Sequence, residues 1–492
     1  MKFYKTILSL LAILICTTTS FAQVSTIASR KFDADDFLDN SLSLNNKGII
    51  MYGWEDKTTF TIKQMDTTLA DKNAWKIVTE KRTSLIDIKY SEDLGVLLVL
   101  MKASRTEYIL NSIDIDTKKK KATTLMVPKG TDLSAMILNG GVAWFIASAK
   151  KETFLFKCPL ISPKLTPLNP QVGQEKINIT TLENIENNEM AMGYFYGPKK
   201  HRAYDMAVLS QEGKIIVKGI MSSLSSEEKQ LFIDGTATRL GKDDYAITGT
   251  YNKKGRSIGN GVYFARYSDN KIKYMSKFDY SDFEHFYDYM SEKYRNKIES
   301  KIAKKKDNGK NVTINSLSIM HKAILTEKGL VFIGEYYYPT YRTEYRTTTT
   351  NGVTSTTSTR VFDGYQYTHG MAIGISNEGA KMFDLHIPMN APYKPYLPVK
   401  FLRVISDSSS ITLFHTSGRT ILSSIIRGDE IGNNEYAVIT DIPEDQKVKW
   451  SASSGIYWYE NYFFILELQR VKEKGFLGKR RTEFFAVKVA VE

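Results

Sequence analysis

Gly48-Ile-Ile-Met-Tyr-Gly53, Gly95-Val-Leu-Leu-Val-Leu100, Gly141-Val-Ala-Trp-Phe-Ile146 and Gly329-Leu-Val-Phe-Ile-Gly334 are four versions of one phrase, a glycine followed by a short apolar run. A run of that length, bounded by turn residues, reads as a strand entered through a glycine turn. The residues ahead of each glycine match too. Asn45-Asn-Lys, Ser91-Glu-Asp-Leu, Leu138-Asn-Gly and Thr326-Glu-Lys each follow another short apolar stretch, such as Leu42-Ser-Leu or Ala323-Ile-Leu, so each phrase is the second arm of a hairpin. Gly95 follows Gly48 by 47 residues and Gly141 follows Gly95 by 46; looser copies recur at Asn188-Glu189, Asp243-Asp244, Ser409-Ser410 and Glu460-Asn461. That makes eight units, the later ones spread apart by insertions.

The second unit shows the internal order: strands over 86–90, 95–101, 107–116 and 123–127. Four strands per repeat of this length is the period of a propeller blade, a small antiparallel sheet that must pack against its neighbours. With 29 tyrosines and 24 phenylalanines against 12 prolines, the composition suits strands. The sequence therefore predicts an all-β fold, a β-propeller of seven or eight four-stranded blades with eight favoured, over tandem β-sandwiches or a solenoid. Neither the Trp-Asp nor the double-glycine kelch signature recurs. The last unit supplies only three strands, over 456–460, 462–471 and 482–491. A ring cannot leave an open edge, so 24–32 is expected to complete that blade.

Two insertions interrupt the repeats. Phe283, Phe286, Met290, Tyr294, Ile298 and Ile302 recur at helical steps and predict a helix near 281–305, ended by Lys304-Lys-Lys-Asp-Asn-Gly309. The stretch from Pro339 to Arg360 is rich in Thr, Ser and Arg and reads as a long loop. The expected organisation is a signal peptide over 1–22 and a single propeller domain over 23–492, with insertions at 281–312 and 339–362.

The export reading rests on Lys2 and Lys5, the apolar stretch from Ile7 to Cys16 and the small-x-small site Ser20-Phe21-Ala22. Ile15 ahead of Cys16, where lipid attachment wants a small residue, argues against a lipid anchor. The expected location is the periplasm or the cell exterior, with no transmembrane segment in the mature chain. Cys158 is then the one remaining cysteine, a small hydrophobe in a strand. Net charge is +13, of which the first 22 residues hold two lysines and no acid, leaving +11. That excess favours anionic partners or solubility.

Propeller geometry sorts the loops. Those joining second and third strands share one face with the links between blades; the tight turns between first and second strands lie on the other. Both insertions fall on the first face, which collects Lys199, Lys200, Arg202, Lys254, Arg256, Arg342, Arg346, Lys479, Arg480 and Arg481. The opposite turns are neutral or acidic. A cationic ring attracts a polyanion through its summed field. Tyr338 and Tyr341 lie beside these cations and offer flat faces with a hydroxyl, suited to sugars or peptides.

A second pattern is acidic. Asp39, Asp87, Asp132, Glu183 and Asp234 each lie near the start of a unit's first strand. Convergence at the channel mouth would raise their pKa values, bind a cation or support acid/base chemistry as in glycosidases. The competing reading has each acid capping its own blade by accepting bonds from nearby backbone N–H groups. Histidines lack metal-ligand spacing, and no nucleophile elbow or phosphate loop occurs. No cofactor and no nucleic-acid partner are expected, and the chain reads as a monomer.

Phe362-Asp-Gly-Tyr-Gln-Tyr-Thr-His369, Gly334-Glu-Tyr-Tyr-Tyr-Pro-Thr-Tyr341 and the Gly249-Thr-Tyr and Gly261-Val-Tyr-Phe-Ala265 hairpin resemble segments of uncharacterised secreted proteins from Gram-negative bacteria. The resemblance implies a propeller of unknown function and carries no catalytic residues. The expected function is an exported, non-catalytic binding or scaffolding propeller that recognises an anionic glycan or protein through its basic face. The alternative is a glycoside hydrolase or lyase using the channel carboxylates; a third reading is a mainly structural envelope component.

Overall fold

The computed structural model describes residues 24–491 apart from 34–37, 39, 151, 171, 174–175, 187, 198–201, 222–230, 254–257, 311, 352, 390, 392, 408, 433–434, 439, 441–445 and 475–478. The segment read as an export signal, Asp39, Lys199, Lys200, Lys254 and Arg256 thus lie outside the described residues.

Eight antiparallel sheets follow one another along the chain. Blades 1 to 7 occupy 40–78, 84–126, 131–168, 177–217, 231–279, 317–388 and 403–438, and blade 8 is built from both ends of the chain. In blades 5 and 6 the first strand, and in blade 7 the last, is split into two short pieces that pair with the same neighbour. First strands of blades 8, 1, 2, 3, 4 and 5 touch one another in turn and so lie toward the axis.

The apolar phrases explain why the sheets form a circle. Successive residues of a strand point to opposite faces, and a uniformly apolar strand needs a neighbour on each. In blade 2, Leu97, Val99 and Met101 pack with Ile50 and Phe60 of blade 1, while Leu98 and Leu100 pack with Ala143 and Phe145 of blade 3. The same arrangement repeats at every junction, giving one buried cluster between each pair of consecutive blades. Phe414 stacks on Phe463 at 4.2 Å between blades 7 and 8. Phe464, Leu466 and Ala486 of blade 8 then pack with Ile49, Met51 and Met65 of blade 1, which closes the ring.

Blade 8 is completed as the open edge required. Val24–Phe32 pairs antiparallel with Arg480–Val491, from Val24 opposite Val491 to Phe32 opposite Phe484. Trp458 fastens the closing junction. It is fully buried, and its indole N–H lies 2.9 Å from the Gly48 carbonyl and 3.0 Å from that of Asn45. Gly48 itself has φ +115, and a Cβ there would fall 2.0 Å from the Met65 carbonyl oxygen. Gly329 repeats that constraint in blade 6, with φ +146 and a Cβ position 2.1 Å from the Ile375 carbonyl oxygen. At these two positions the phrase opens on glycine because third-strand backbone occupies the space of a side chain.

Two insertions differ from their expected forms. The helix spans Glu292–Asp307, starting about three turns after 281. Phe283 and Phe286, read as its first turns, lie instead in irregular chain and turns after the short 3-10 turn Tyr280–Asp282, which bury both rings against blades 5 and 6. Aromatic residues are weak helix formers, and burial of these rings outweighs the helical spacing. Only Ile298 and Ile302 carry the apolar stripe of the helix toward the core. The stretch read as a loop is a strand pair, Gly329–Thr350 with Val353–Ser376. Its threonines are β-branched and favour extended backbone, and Asn351 turns the tip at φ 51.

Trp458→Ala should lower the free energy of unfolding by about 3–5 kcal/mol, read as a fall in the urea midpoint. A loss below roughly 1 kcal/mol, the scale of an ordinary surface change, would show that the closing junction does not hold the ring.

Candidate functional site: the blade 6 hairpin

The second and third strands of blade 6 outrun their sheet. The first strand pairs only as far as Leu317 opposite Tyr337, and the fourth only as far as Pro388 opposite His369. Beyond those points the pair continues alone as a twisted ribbon to Thr350 opposite Val353. Threonine and serine hydroxyls line its outer half in pairs, with Thr347–Thr356, Thr348–Ser355 and Thr349–Thr354 each at 3.1 Å. Such cross-strand pairs, with the ladder, hold a ribbon that has no sheet to lean on.

The inner half of the ribbon is aromatic. Ring centroids of Tyr337 and Tyr365 lie 5.2 Å apart, Tyr365 and Phe362 5.1 Å, Phe362 and Tyr341 5.9 Å, and Phe362 and Tyr396 of the blade 6–7 link 5.9 Å. Several rings remain open to solvent: Tyr341 is 47% exposed and Tyr396 62%. Cations are set among them. The Arg360 guanidinium stands 4.2 Å over the Tyr341 ring. Arg342 pairs with Glu344 at 2.7 Å and reaches Asp363 at 3.5 Å, and Lys394 meets the same Asp363 at 3.1 Å. These ion pairs are exposed, so water and salt weaken them and a competing anion can replace the carboxylates.

Tyr338, Tyr341, Arg342 and Arg346 thus lie along one strand of the ribbon, with Tyr338, Tyr341 and Arg346 exposed. The remaining described cations belong to other blades. Arg202 of blade 4 lies 4.0 Å over the Phe195 ring. In blade 8, Lys479 and Arg480 are exposed, while Arg481 is paired with Glu483 at 2.6 Å. Sequence reasoning missed Arg360, Lys394 and Tyr396 because only the folded link carries Lys394 and Tyr396 back to the ribbon.

The described acids each have their own partners. Asp87 accepts the Ile88 N–H at 2.8 Å and, across the junction, the Met136 N–H of blade 3 at 3.1 Å. Asp132 pairs with Lys102 of blade 2. Glu183 of blade 4 accepts from the Thr236 hydroxyl of blade 5 at 2.7 Å. Asp234 accepts both the N–H and the hydroxyl of Thr250, at 2.7 and 2.8 Å. Burial, together with the neighbouring Glu183 charge, pushes the Asp234 carboxyl up to about 6. Among the described residues no group of three or more acids, histidines or cysteines could hold a metal ion. Lys322, beside the inner strand of blade 6, reaches the Asn184 carbonyl of blade 4 at 2.5 Å, two blades away.

Three carboxylates that the repeat pattern did not single out do similar work. Glu335 has no exposed surface and accepts from Phe401 N–H, Leu402 N–H and the His321 ring at 2.9, 3.1 and 2.7 Å. Asp205 accepts the Met206 and Met221 N–H groups, both at 2.7 Å. Glu467 accepts from Thr440 and Gln469, each at 2.8 Å, and burial raises its pKa. Cys158 is fully buried, and burial pushes its thiol up to about 11, which leaves it protonated and unreactive.

No protein-family model matches the chain, and no curated protein matches it. Among solved structures it is similar to a prolyl endopeptidase at 10% identity and TM-score 0.40, covering 92% of this chain and 55% of that one. The chain thus spans about half the length of that enzyme. It is similar as well to the polysaccharide lyase Uly1, at 10% identity and TM-score 0.39, covering 92% of this chain and 99% of that one. A third similarity is to the dihydro-heme d1 dehydrogenase NirN, at 8% identity and TM-score 0.45, covering 95% and 82%. No helix among the described residues is long and apolar enough to cross a membrane.

The raised carboxyl of Asp234 has a signed consequence. Its folded pKa of about 6 stands above the ordinary 3.8, so between those values the folded state holds a proton that the unfolded chain releases. The stability this contributes is complete below the ordinary pKa and is lost as pH rises through about 6. Asp234→Asn keeps the acceptor oxygen and removes the titration. Plotted against pH, the wild-type stability should fall relative to the variant between those two values; parallel curves would rule the linkage out.

Proposed function

We propose that the chain is an exported, monomeric, non-catalytic binding propeller that recognises an acidic glycan through the blade 6 ribbon. The observation that carries this reading is the exposed aromatic row with Arg342, Arg360 and Lys394 set among its rings. A sugar ring presents C–H faces to an aromatic plane and hydroxyls at its rim, which tyrosine serves with ring and hydroxyl together. Guanidinium groups take carboxylate or sulfate oxygens in a fixed fork geometry. Net charge of +13 supports the encounter with a polyanion. The alternative use of channel carboxylates for hydrolysis or elimination draws less support. Asp87, Asp132, Glu183 and Asp234 are each engaged in bonds that join or brace blades.

Heparin and polygalacturonate serve as probes. Binding measured by calorimetry at low salt should weaken steeply as salt is raised. Arg342→Ala combined with Lys394→Ala, or Tyr341→Ala alone, should each weaken it by about tenfold, the equivalent of one charge-assisted bond or one stacked ring. A native chain that binds neither polyanion at low salt would dispose of the reading.

A further inference from the structure

The seam between blades 6 and 7 opens into a cleft of about 360 Å³ at the end away from the ribbon. Three turns surround it, at 326–328 in blade 6 and at 407–410 and 428–429 in blade 7. Val331, Ile411 and Ile426 reach its floor from the seam and are nearly buried. The accessible apolar wall is Met382, 38% exposed, with half-buried Phe383 beside it. A volume at the small end of ligand pockets suits a single ring on a short chain.

The rim is charged and unbalanced. Glu327, Asp407 and Asp429 stand on it against Lys328, the one cation among the lining residues, which gives a net charge of −2; all four are exposed. Ser408, the one residue of these turns outside the described ones, carries no charge. Lys328 carries its amine across to blade 7, 3.8 Å from the position that a Cβ on Gly428 would take. Asp407 is a fixed acceptor. Its Oδ1 accepts the Ser409 N–H at 2.6 Å, the Ser409 hydroxyl at 2.9 Å and the Ser410 N–H at 2.7 Å, while Oδ2 accepts the Ser410 hydroxyl at 2.9 Å. Those bonds hold its carboxyl down at about 2, so it is ionised at neutral pH. Oδ2, with one bond, keeps a lone pair for a second donor.

The ligand chemistry follows from wall and rim together. A phenyl ring and a thioether both contact aromatic rings favourably, so the wall suits a ring. The rim offers acceptors and negative charge, so it suits a cationic donor and repels an anion. We propose that this cleft binds a protonated arylalkylamine, its ring against Met382 and Phe383 and its ammonium among Glu327, Asp407 and Asp429. The proposal stands independently of glycan recognition, which the ribbon carries at the other end of blade 6.

Phenethylamine, its neutral isostere 2-phenylethanol and ethylamine separate charge from ring. Titrated into the full chain at low salt and followed by ligand NMR, phenethylamine should bind about fivefold tighter than 2-phenylethanol. Ethylamine, which keeps the charge and lacks the ring, should bind about tenfold more weakly than phenethylamine. Glu327→Gln with Asp429→Asn leaves Asp407 balanced by Lys328 and should bring phenethylamine down to the affinity of the alcohol. Lys328→Met should act in the opposite direction, tightening phenethylamine about twofold. Damage to the fold would weaken binding in both variants, so the opposite signs separate the site from its scaffold. Equal binding of phenethylamine and 2-phenylethanol to the native chain, binding of neither, or ethylamine binding as tightly as phenethylamine overturns the proposal. So does a preference for the amine that persists in the double variant, or weaker amine binding by Lys328→Met.

Discussion

Every blade depends on apolar contact across both of its faces. A second strand such as 96–102 has Leu97, Val99 and Met101 on one side and Leu98 and Leu100 on the other, all without exposed surface. No isolated four-stranded sheet can bury two such faces, so each blade is stable only between neighbours. Eight junctions with eight buried clusters satisfy that demand all round, provided that the ring closes. Closure therefore falls on blade 8, where Val24–Phe32 covers the last edge. The non-covalent join of the two chain ends is where the circle has no peptide link behind it, and Trp458, on the opposite edge strand of the same blade, ties that blade to blade 1 through its two carbonyl acceptors.

Between these seams buried and half-buried carboxylates act as joints. Asp87 reaches the backbone of the next blade, Glu183 the first strand of the next, Glu335 the link that follows its own blade, and Glu467 the link that precedes it. A carboxylate offers several lone pairs to backbone N–H groups that a link leaves unpaired. Of the described acids near blade starts, Asp87 and Asp234 take backbone N–H groups, Glu183 takes the Thr236 hydroxyl and Asp132 the Lys102 ammonium, so each has a partner of its own.

The propeller was legible from repetition alone. Glycine turns ahead of apolar runs recur at nearly constant spacing, and the missing strand of the last unit pointed to 24–32. The insertions were harder to read. Helical spacing in Phe283-x-x-Phe286 mimics an amphipathic helix, yet those rings are held by contacts with blades 5 and 6 that no local pattern displays. The ribbon was readable in principle from Asn351-Gly352, a strong hairpin signal flanked by β-branched residues; its low hydrophobicity argued loop. Tyrosines and arginines of the site were visible as residue types. Their assembly with Arg360, Lys394 and Tyr396 was not, because it depends on pairing of Tyr341 with Phe362 and on the path of the link after the fourth strand.

Blade 6 is where the ring has surplus chain, and surplus chain is free of the packing constraint that fixes the others. Up to Tyr337 and Tyr367, both buried, its middle strands belong to the core. Past them the inner half of the ribbon still meets the blade 6–7 link, where the Tyr365 N–H donates to the Pro395 carbonyl at 2.8 Å, while the outer half is exposed at its edges, an arrangement that invites aggregation unless the edges are polar. Its outer half meets that demand with Thr, Ser, Arg and Glu, whereas its inner half keeps Tyr341 and Phe362 with cations at their margins. No blade needs those rings for burial. Side chains that neither fill the core nor protect an edge are kept at a cost in solubility, and a ligand that stacks on them is the physical condition under which that cost is offset.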